Sequence, residues 1–435
     1  MRNEHCRIFV SALVVFAASS GSVVADDWPQ WRGPKRDGVW RETGIIERFA
    51  GPELDKVWRA EIGSGYSGPT VANGRVYVTD RVVEPKQIER IHCFDAKTGK
   101  KRWTHSYDCE YRDVGYEAGP RASVTIDTGR AYSLGTMGHF FCLDASSGSV
   151  VWKKDLFSEY KIRMPIWGIS CSPLIEEDLV IVQIGGEDGA CIVAFDKKSG
   201  RESWRALDDG ASYSAPIVIE HGGKRTVVCY TAAHVAGLDP RTGRVRWKHP
   251  FPPKRMVIGI STPVFHRDMI FVTNFFDGSL LLRLPHGRSS VEKIWQRAGP
   301  SEKDTDSLQS IISTPYLEGD YIYGVDSYGE LRCLDLETGD RVWESLKAVP
   351  KARWATIHLV KNRDRVWMFN ERGELIISRL SPKGFEEISR AKLIEPTRDQ
   401  LNRRDGVCWS HPAFASRHVF ARNDNEIVCA SLAAK

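Results

Sequence analysis

From residue 55 onward the chain is written in short apolar runs divided by Gly, Asp and Asn. The runs are rich in Val, Ile, Phe and Tyr, so they read as successive antiparallel strands. No ten-residue stretch holds a helical period. The runs also recur in one order. A Ser-x-Pro or close variant opens the first strand ("SGPTVA", "CSPLIE", "SAPIVI", "STPVFH", "STPYLE", "SHPAFA"). A second strand follows a turn ("GRVYVT", "GRAYSL", "DLVIVQ", "DMIFVT", "DYIYGV", "DRVWMF"). A third ends in aspartate ("IHCFD", "FFCLD", "IVAFD", "LRCLD"), and a fourth carries tryptophan.

The join between third and fourth strands repeats with fixed spacing. It reads "FDAKTGKKRW" at Asp95, Gly99 and Trp103, and "LDASSGSVVW" at Asp144, Gly148 and Trp152. It returns at Asp196, Gly200 and Trp204, at Asp239, Gly243 and Trp247, and at Asp335, Gly339 and Trp343. Trp295 ends a degenerate copy, "RLPHGRSSVEKIW", and Trp58 lies one period before Trp103. The tryptophans are 43 to 52 residues apart, a period that belongs to propellers and solenoids. The glycine permits φ > 0 in a tight hairpin. The aspartate, with Thr or Ser three residues later, caps the turn amides. Trp58, Trp103, Trp152, Trp204, Trp247, Trp295 and Trp343 are therefore structural: each covers the neighbouring repeat, hiding roughly 150–250 Å².

First strands are expected near Ser67, Arg121, Ser172, Ser214, Ser261, Ser313, Trp354 and Ser410. The expected fold class is thus all-β: an eight-bladed β-propeller of four-stranded antiparallel blades. The last repeat has room for three strands, and "DKVWRAE" around Trp58 is an orphan fourth strand. It is expected to complete the last blade, which removes the open sheet edges.

Composition narrows the class. Apolar content is 42%, charged content 27% and net charge +5 without a basic run, which gives no case for nucleic acid. "MRNEHCR" followed by "IFVSALVVFAASSG" reads as a signal peptide over residues 1–25, cut after Ala25. Residues 26–54, with Trp28, Trp31 and Trp40, read as an irregular arm lying on the propeller of residues 55–435. No segment after the cut is long enough to span a membrane, so an exported, soluble, periplasmic or extracellular monomer is expected. Cys93, Cys142, Cys333 and Cys429 occupy equivalent strand positions, as core fillers do, and no Cys-x-x-Cys occurs.

The Asp-Gly-Trp pattern resembles the PQQ-like, tryptophan-docking repeat of quinoprotein alcohol and glucose dehydrogenases. It also resembles the BamB-type subunit of the outer-membrane protein assembly machine, which has the same fold without cofactor or catalysis. "WPQWRGPKRDGVW", "GPRASVTID" and "PIWGISCSPL" look like a subgroup of exported proteins of this kind. A quinoprotein dehydrogenase implies an adjacent Cys-Cys pair, a calcium held by Glu and Asn, and an Asp base. No two cysteines here are adjacent, and "RNDNE" (422–426) and "GGEDGA" (185–190) both fall where turns belong. No cofactor and no metal site are expected on these grounds, and PQQ with calcium stands as the alternative.

Nothing here reads as a Ser-His-Asp set, a glycosidase carboxylate pair or a local metal site, so no catalytic residue is expected. Ligand-binding candidates lie in the loops that enter the first strands at one mouth of the channel. They are Tyr66, Tyr116, Arg121, Arg163, Trp167, Tyr213, Trp354, Trp409 and His411, and one further loop adds Glu302, Asp304 and Asp306. Aromatic rings suit a flat ligand or sugar, and an arginine fork suits a carboxylate. The bland reading is that these side chains plug the channel. The expected function is a non-catalytic exported scaffold binding an envelope protein or small ligand. The alternatives are a PQQ/calcium oxidoreductase of alcohols or sugars and a carbohydrate-binding propeller. Partly exposed aromatics at the mouth would favour the sugar, and an exposed apolar groove on the rim a protein partner.

Overall fold

The computed structural model describes residues 26–285 and 290–434; the expected leader, residues 1–25, lies outside the described residues. Eight four-stranded antiparallel sheets follow one another around a central channel. Blade 1 is made of Thr70–Ala72, Arg75–Val82, Ile88–Asp95 and Lys101–Asp108. The innermost strands of the others begin at Thr125, Leu174, Ile217, Val264, Tyr316, Ile357 and Ala413. Inner strands touch between blades 1 and 2, 2 and 3, 5 and 6, and 1 and 8. Blade 8 has three strands of its own, Ala413–Ala415, His418–Arg422 and Glu426–Ser431. Its fourth is Lys56–Glu61, which pairs with the last of these so that Trp58 stands opposite Cys429. The ring is closed by the N-terminal strand.

The repeated aspartate does what its position suggests. Asp95 Oδ1 accepts the backbone N–H of Lys97 and Thr98 at 3.1 and 2.9 Å and the Thr98 hydroxyl at 2.8 Å. The glycine has a second reason to be glycine. The indole of Trp103 lies on Gly148 of the next blade, where a Cβ would come within 2.7 Å of the ring. Trp58 on Gly99, Trp152 on Gly200 and Trp204 on Gly243 repeat this. Each indole N–H then reaches a turn carbonyl of the next blade: Trp58 to Ala96 at 2.9 Å, Trp103 to Ala145 at 3.1 Å, Trp295 to Leu336 at 2.9 Å. Motif and interface are one object. Trp247 packs against Gly237 of its own blade, and the hairpin glycine of the next blade lies outside the described residues.

Every outer strand also carries a β-bulge, in seven blades beside its tryptophan and in blade 7 at Ile388. In blade 1, Cys93 faces Trp103 while Phe94 faces Lys101, so Arg102 is left out of the strand register. In blade 8 the skipped residue is Val57. The extra residue adds twist, and it leaves Val57 and Val342 exposed on the rim. One five-residue helix, Leu156–Tyr160, follows the outer strand of blade 2. All nine cysteines after residue 25 are free and buried.

Residues 26–54 cross the face opposite the loops named above. The Trp28 and Val71 backbones exchange bonds of 2.8 and 2.9 Å, and the Ile126 N–H reaches the Pro29 carbonyl at 2.8 Å. Arg36, buried, donates to the carbonyls of Ser172 at 3.2 Å and Pro216 at 3.0 Å. The chain then returns to blade 7, where the Trp40 N–H bonds the Lys361 carbonyl at 2.8 Å. Trp28 and Trp40 are 2% and 1% exposed, which accounts for two of the arm's three tryptophans as packing.

Candidate ligand site at the channel mouth

The loops entering the inner strands converge on a cavity of about 160 Å³. Space of this order takes up one aromatic ring. Tyr66, Tyr116, Arg121 and Trp167 line it, as do Tyr213, Trp354, Trp409 and His411. Arg163 does not: it is exposed on the 161–168 loop, outside the wall. Loop spacing brings a residue to the mouth but does not fix which way its side chain turns.

The wall is a set of crossed rings. Tyr116 meets Trp167, Trp354 and Trp409 at centroid distances of 5.8, 6.1 and 6.1 Å. Trp167 continues to Tyr213 at 5.0 Å. Tyr66, Tyr116, Trp167 and Trp354 are only partly buried. Two of these aromatics hold a backbone that L-residues avoid, with φ of 57° at Tyr116 and 67° at Trp354. Strain of this kind persists only where surrounding contacts over-determine it, and it gathers at ligand clamps. The indole nitrogen of Trp354 is buried without an acceptor.

Apart from Arg121, charge lies at the rim rather than in the wall. The Arg353 guanidinium sits 4.4 Å from the Trp354 ring centroid and pairs with Glu302 through two bonds of 2.6 Å. Arg403 lies 5.9 Å from the same ring. Burial raises the Tyr116 phenol, and Arg403 and Arg353 partly offset that. Of the acidic residues expected near the mouth, Glu302 is thus spent on Arg353, Asp306 pairs with Arg297 at 2.6 Å, and Asp304 is exposed.

Arg121 and His411 are committed elsewhere. Arg121 donates to the carbonyls of Gly119, Gly115 and Tyr116 at 2.7, 2.8 and 2.6 Å, which clamps its own loop. It also lies over the Tyr66 ring at 5.1 Å. Its fork holds backbone where a ligand carboxylate was expected. His411 sits between the Ser123 hydroxyl at 2.7 Å and the Pro412 carbonyl at 3.1 Å. Burial pushes it down to about 3, and the neighbouring His358 to about 4. Both rings are neutral at pH 7 and act as structural polar groups.

Sequence reasoning placed Trp31 with the packing residues of the arm. Instead it enters the channel and forms the cavity floor, with its indole N–H on Thr262 Oγ1 at 2.8 Å and its ring 4.5 Å from His411. Ile260, Ile311 and Ile312 complete the wall. The two isoleucines at 311 and 312 carried a legible signal, an apolar pair inside an otherwise polar loop. The lining side chains include no carboxylate, no carboxamide and no cysteine. Among the described residues no three His, Cys, Asp or Glu side chains gather as a metal site. The donor set that would hold a calcium-bound quinone does not fit this wall.

The sequence profile described as "Outer membrane protein assembly factor BamB" matches residues 87–345. The protein of that name from Shewanella oneidensis is 22% identical over 264 residues, 59% of this chain and 65% of the relative. The quinohemoprotein alcohol dehydrogenase of Comamonas testosteroni is 27% identical over 155 residues, 34% of this chain and 20% of that enzyme. The chain therefore spans less than two thirds of either relative. Among solved structures, BamB of Moraxella catarrhalis superposes with a TM-score of 0.56 at 14% identity, over 86% of this chain and 99% of that one. The Comamonas dehydrogenase reaches 0.60 at 14% identity, over 94% and 81%. At such identity these likenesses speak for the fold alone. The profile, matching more than half of the sequence, shows more: this chain belongs to the BamB family of PQQ-like repeat propellers.

Proposed function

We propose that this chain is an exported, non-catalytic scaffold of the cell envelope that docks a partner protein by taking a ring-bearing side chain into the channel-mouth cavity. The observation that carries it is an exposed apolar contact on the rim beside a cavity with room for one ring, walled by Tyr116, Trp167 and Trp354. Ile166, 50% exposed beside this wall, gives the rim an apolar contact for a partner surface. Family membership agrees, as relatives carry the name of an outer membrane protein assembly factor. No helix among the described residues is long and apolar enough to cross a membrane. The same exposed rings favour a second reading, a sugar ring stacked at the mouth.

Three measurements separate these readings from the quinoprotein one. A photocrosslinker at position 116 should give a discrete adduct in intact cells, lost in Trp354→Ala, with none from a crosslinker at the exposed Lys224. Equal adducts from both positions would sink the docking site. Saturable stabilisation by PQQ with calcium would sink the non-catalytic reading, since a ligand of the folded state raises its melting temperature. The same shift with envelope oligosaccharides, and no adduct, would move the assignment to the sugar.

A further inference from the structure

The arm covers only part of the ring on its own face. There alternate residues of an inner strand turn their backbone N–H and C=O toward the channel, because the neighbours on either side bond the second strand. Val71, opposite Val76, spends these groups on Trp28. Lys361, opposite Val366, spends them on Trp40 and Gly38 at 2.8 and 2.9 Å. The arm is thus paired to the inner edges as a strand is, and Val71 beneath it is 2% exposed.

Blades 4, 5 and 6 present the same register without a cover. The equivalent residues are Val218, Phe265 and Leu317, opposite Val227, Ile270 and Ile322. Among the described residues none of the three has a backbone partner on its channel side. All three side chains are partly exposed. They floor a groove of about 440 Å³ whose other wall is the arm. Three cations of the arm, Arg32, Lys35 and Arg36, border it, and none makes an ion pair among the described residues. The acids beside them are taken, Asp37 by Arg41 and Glu318 by Lys361.

Arg32 is the informative one. It is 9% exposed, yet its only bonds among the described residues are to the carbonyls of Arg36 at 3.4 Å and Asp37 at 3.1 Å, through Nε and Nη2. Nη1 makes none among the described residues. Burial has pulled this guanidinium down to about 10. A buried cation without an ion pair, whose nearest carboxylate, Asp37, is held by Arg41, and which faces a largely apolar groove is short of an anion.

We propose that this groove receives an extended acidic peptide, which adds a strand along the inner edges of blades 4 to 6 and sets a carboxylate on Arg32. The free edges call for a backbone with donors and acceptors in register, which a peptide has and an acyl chain lacks. The arm already uses this mode on blades 1 and 7. The site is independent of the channel mouth, so either can fail alone.

The probe is a pool of peptides about eight residues long, alternating Val, Ile or Phe with Thr, Ser or Glu and ending in a free carboxylate, the length a short strand needs. An amidated, Glu-free pool is the comparator. The full chain is used, with affinity selection read by mass spectrometry and amide exchange read by residue. Acidic members should be retained and should slow exchange at Val218, Phe265 and Leu317. Arg32→Gln should weaken retention about tenfold, the worth of one charge-assisted bond. Val218→Asp, at a partly exposed position, should do the same by like charge, with a cooperative melting curve showing that the variant is folded. Retention of neither pool, equal retention of both, or protection confined to Tyr116 and Trp354 would each overturn the proposal.

Discussion

If Trp103 packs on Gly148 as the backbone places it, two glycine substitutions in one blade should differ by the cost of that contact alone. Gly129 and Gly148 both have φ of +75°, the first in a hairpin with nothing within 4 Å of a built Cβ, the second under the Trp103 ring at 2.7 Å. Gly129→Ala carries only the left-handed backbone penalty, about 1–2 kcal/mol. Gly148→Ala adds a clash with a ring whose indole N–H is tied to Ala145 at 3.1 Å, which resists its moving away. Overpacking of this kind costs about 1–3 kcal/mol. The expected totals are about 1–2 kcal/mol for Gly129→Ala and about 2–5 kcal/mol for Gly148→Ala. Urea denaturation followed by tryptophan fluorescence reads both, with equal slopes required before midpoints are compared. A cycle closes the reasoning: in a Trp103→Ala background the Gly148 penalty should fall to that of Gly129. Equal costs for the two alanines in the parent chain would refute the account of why this glycine recurs.

Three further outcomes follow from other parts of the molecule. His411 and His358 have folded values near 3 and 4, below the ordinary 6.5, so the unfolded chain binds protons first as pH falls. Their contribution is intact above pH 6.5 and drains away toward pH 4, by about 4 kcal/mol for the pair at pH 5; urea midpoints between pH 7 and 5 should show a loss that His411→Gln halves, and an unchanged slope would contradict it. Deleting residues 26–61 bares the blade 8 edge at Glu426–Ser431; size-exclusion chromatography should show oligomers, and a clean monomer would argue that closure is dispensable. Arg36→Met removes buried bonds to the carbonyls of Ser172 and Pro216; it should cost about 2–4 kcal/mol and open the arm to limited proteolysis, with resistance equal to the parent counting against its anchoring role.

Much of the ring was legible because its chemistry is local. A turn that needs φ > 0, an aspartate that caps it and a tryptophan at fixed distance all lie within ten residues, so spacing alone recovers the blades and the orphan strand around Trp58. The bulge at Arg102 was not legible. It depends on which of two adjacent residues faces Cys93, and alternation in "KKRW" suits either. The mouth was half legible. Loop position brings Tyr116 and Trp354 to the channel, but Arg121 turns back on three carbonyls of its own loop and Arg163 turns out, and nothing local decides that. Trp31 escaped because its destination is set by blades 5 and 8, far along the chain.

The pairing of Lys56–Glu61 with Glu426–Ser431 ties the earliest strand to the latest. Delivered residue by residue, from a ribosome or through a translocation pore, this chain is an open arc with two sticky ends for nearly the whole of its emergence. No N-terminal fragment of it is a finished object, and the seven inter-blade contacts made on the way hold a shape that has not yet closed. Its most vulnerable moment is therefore the interval before the three strands between Ala413 and Ser431 appear. Whatever keeps the lone strand around Trp58 from finding another chain's edge during that interval governs the yield of closed rings, and a stronger interior does not.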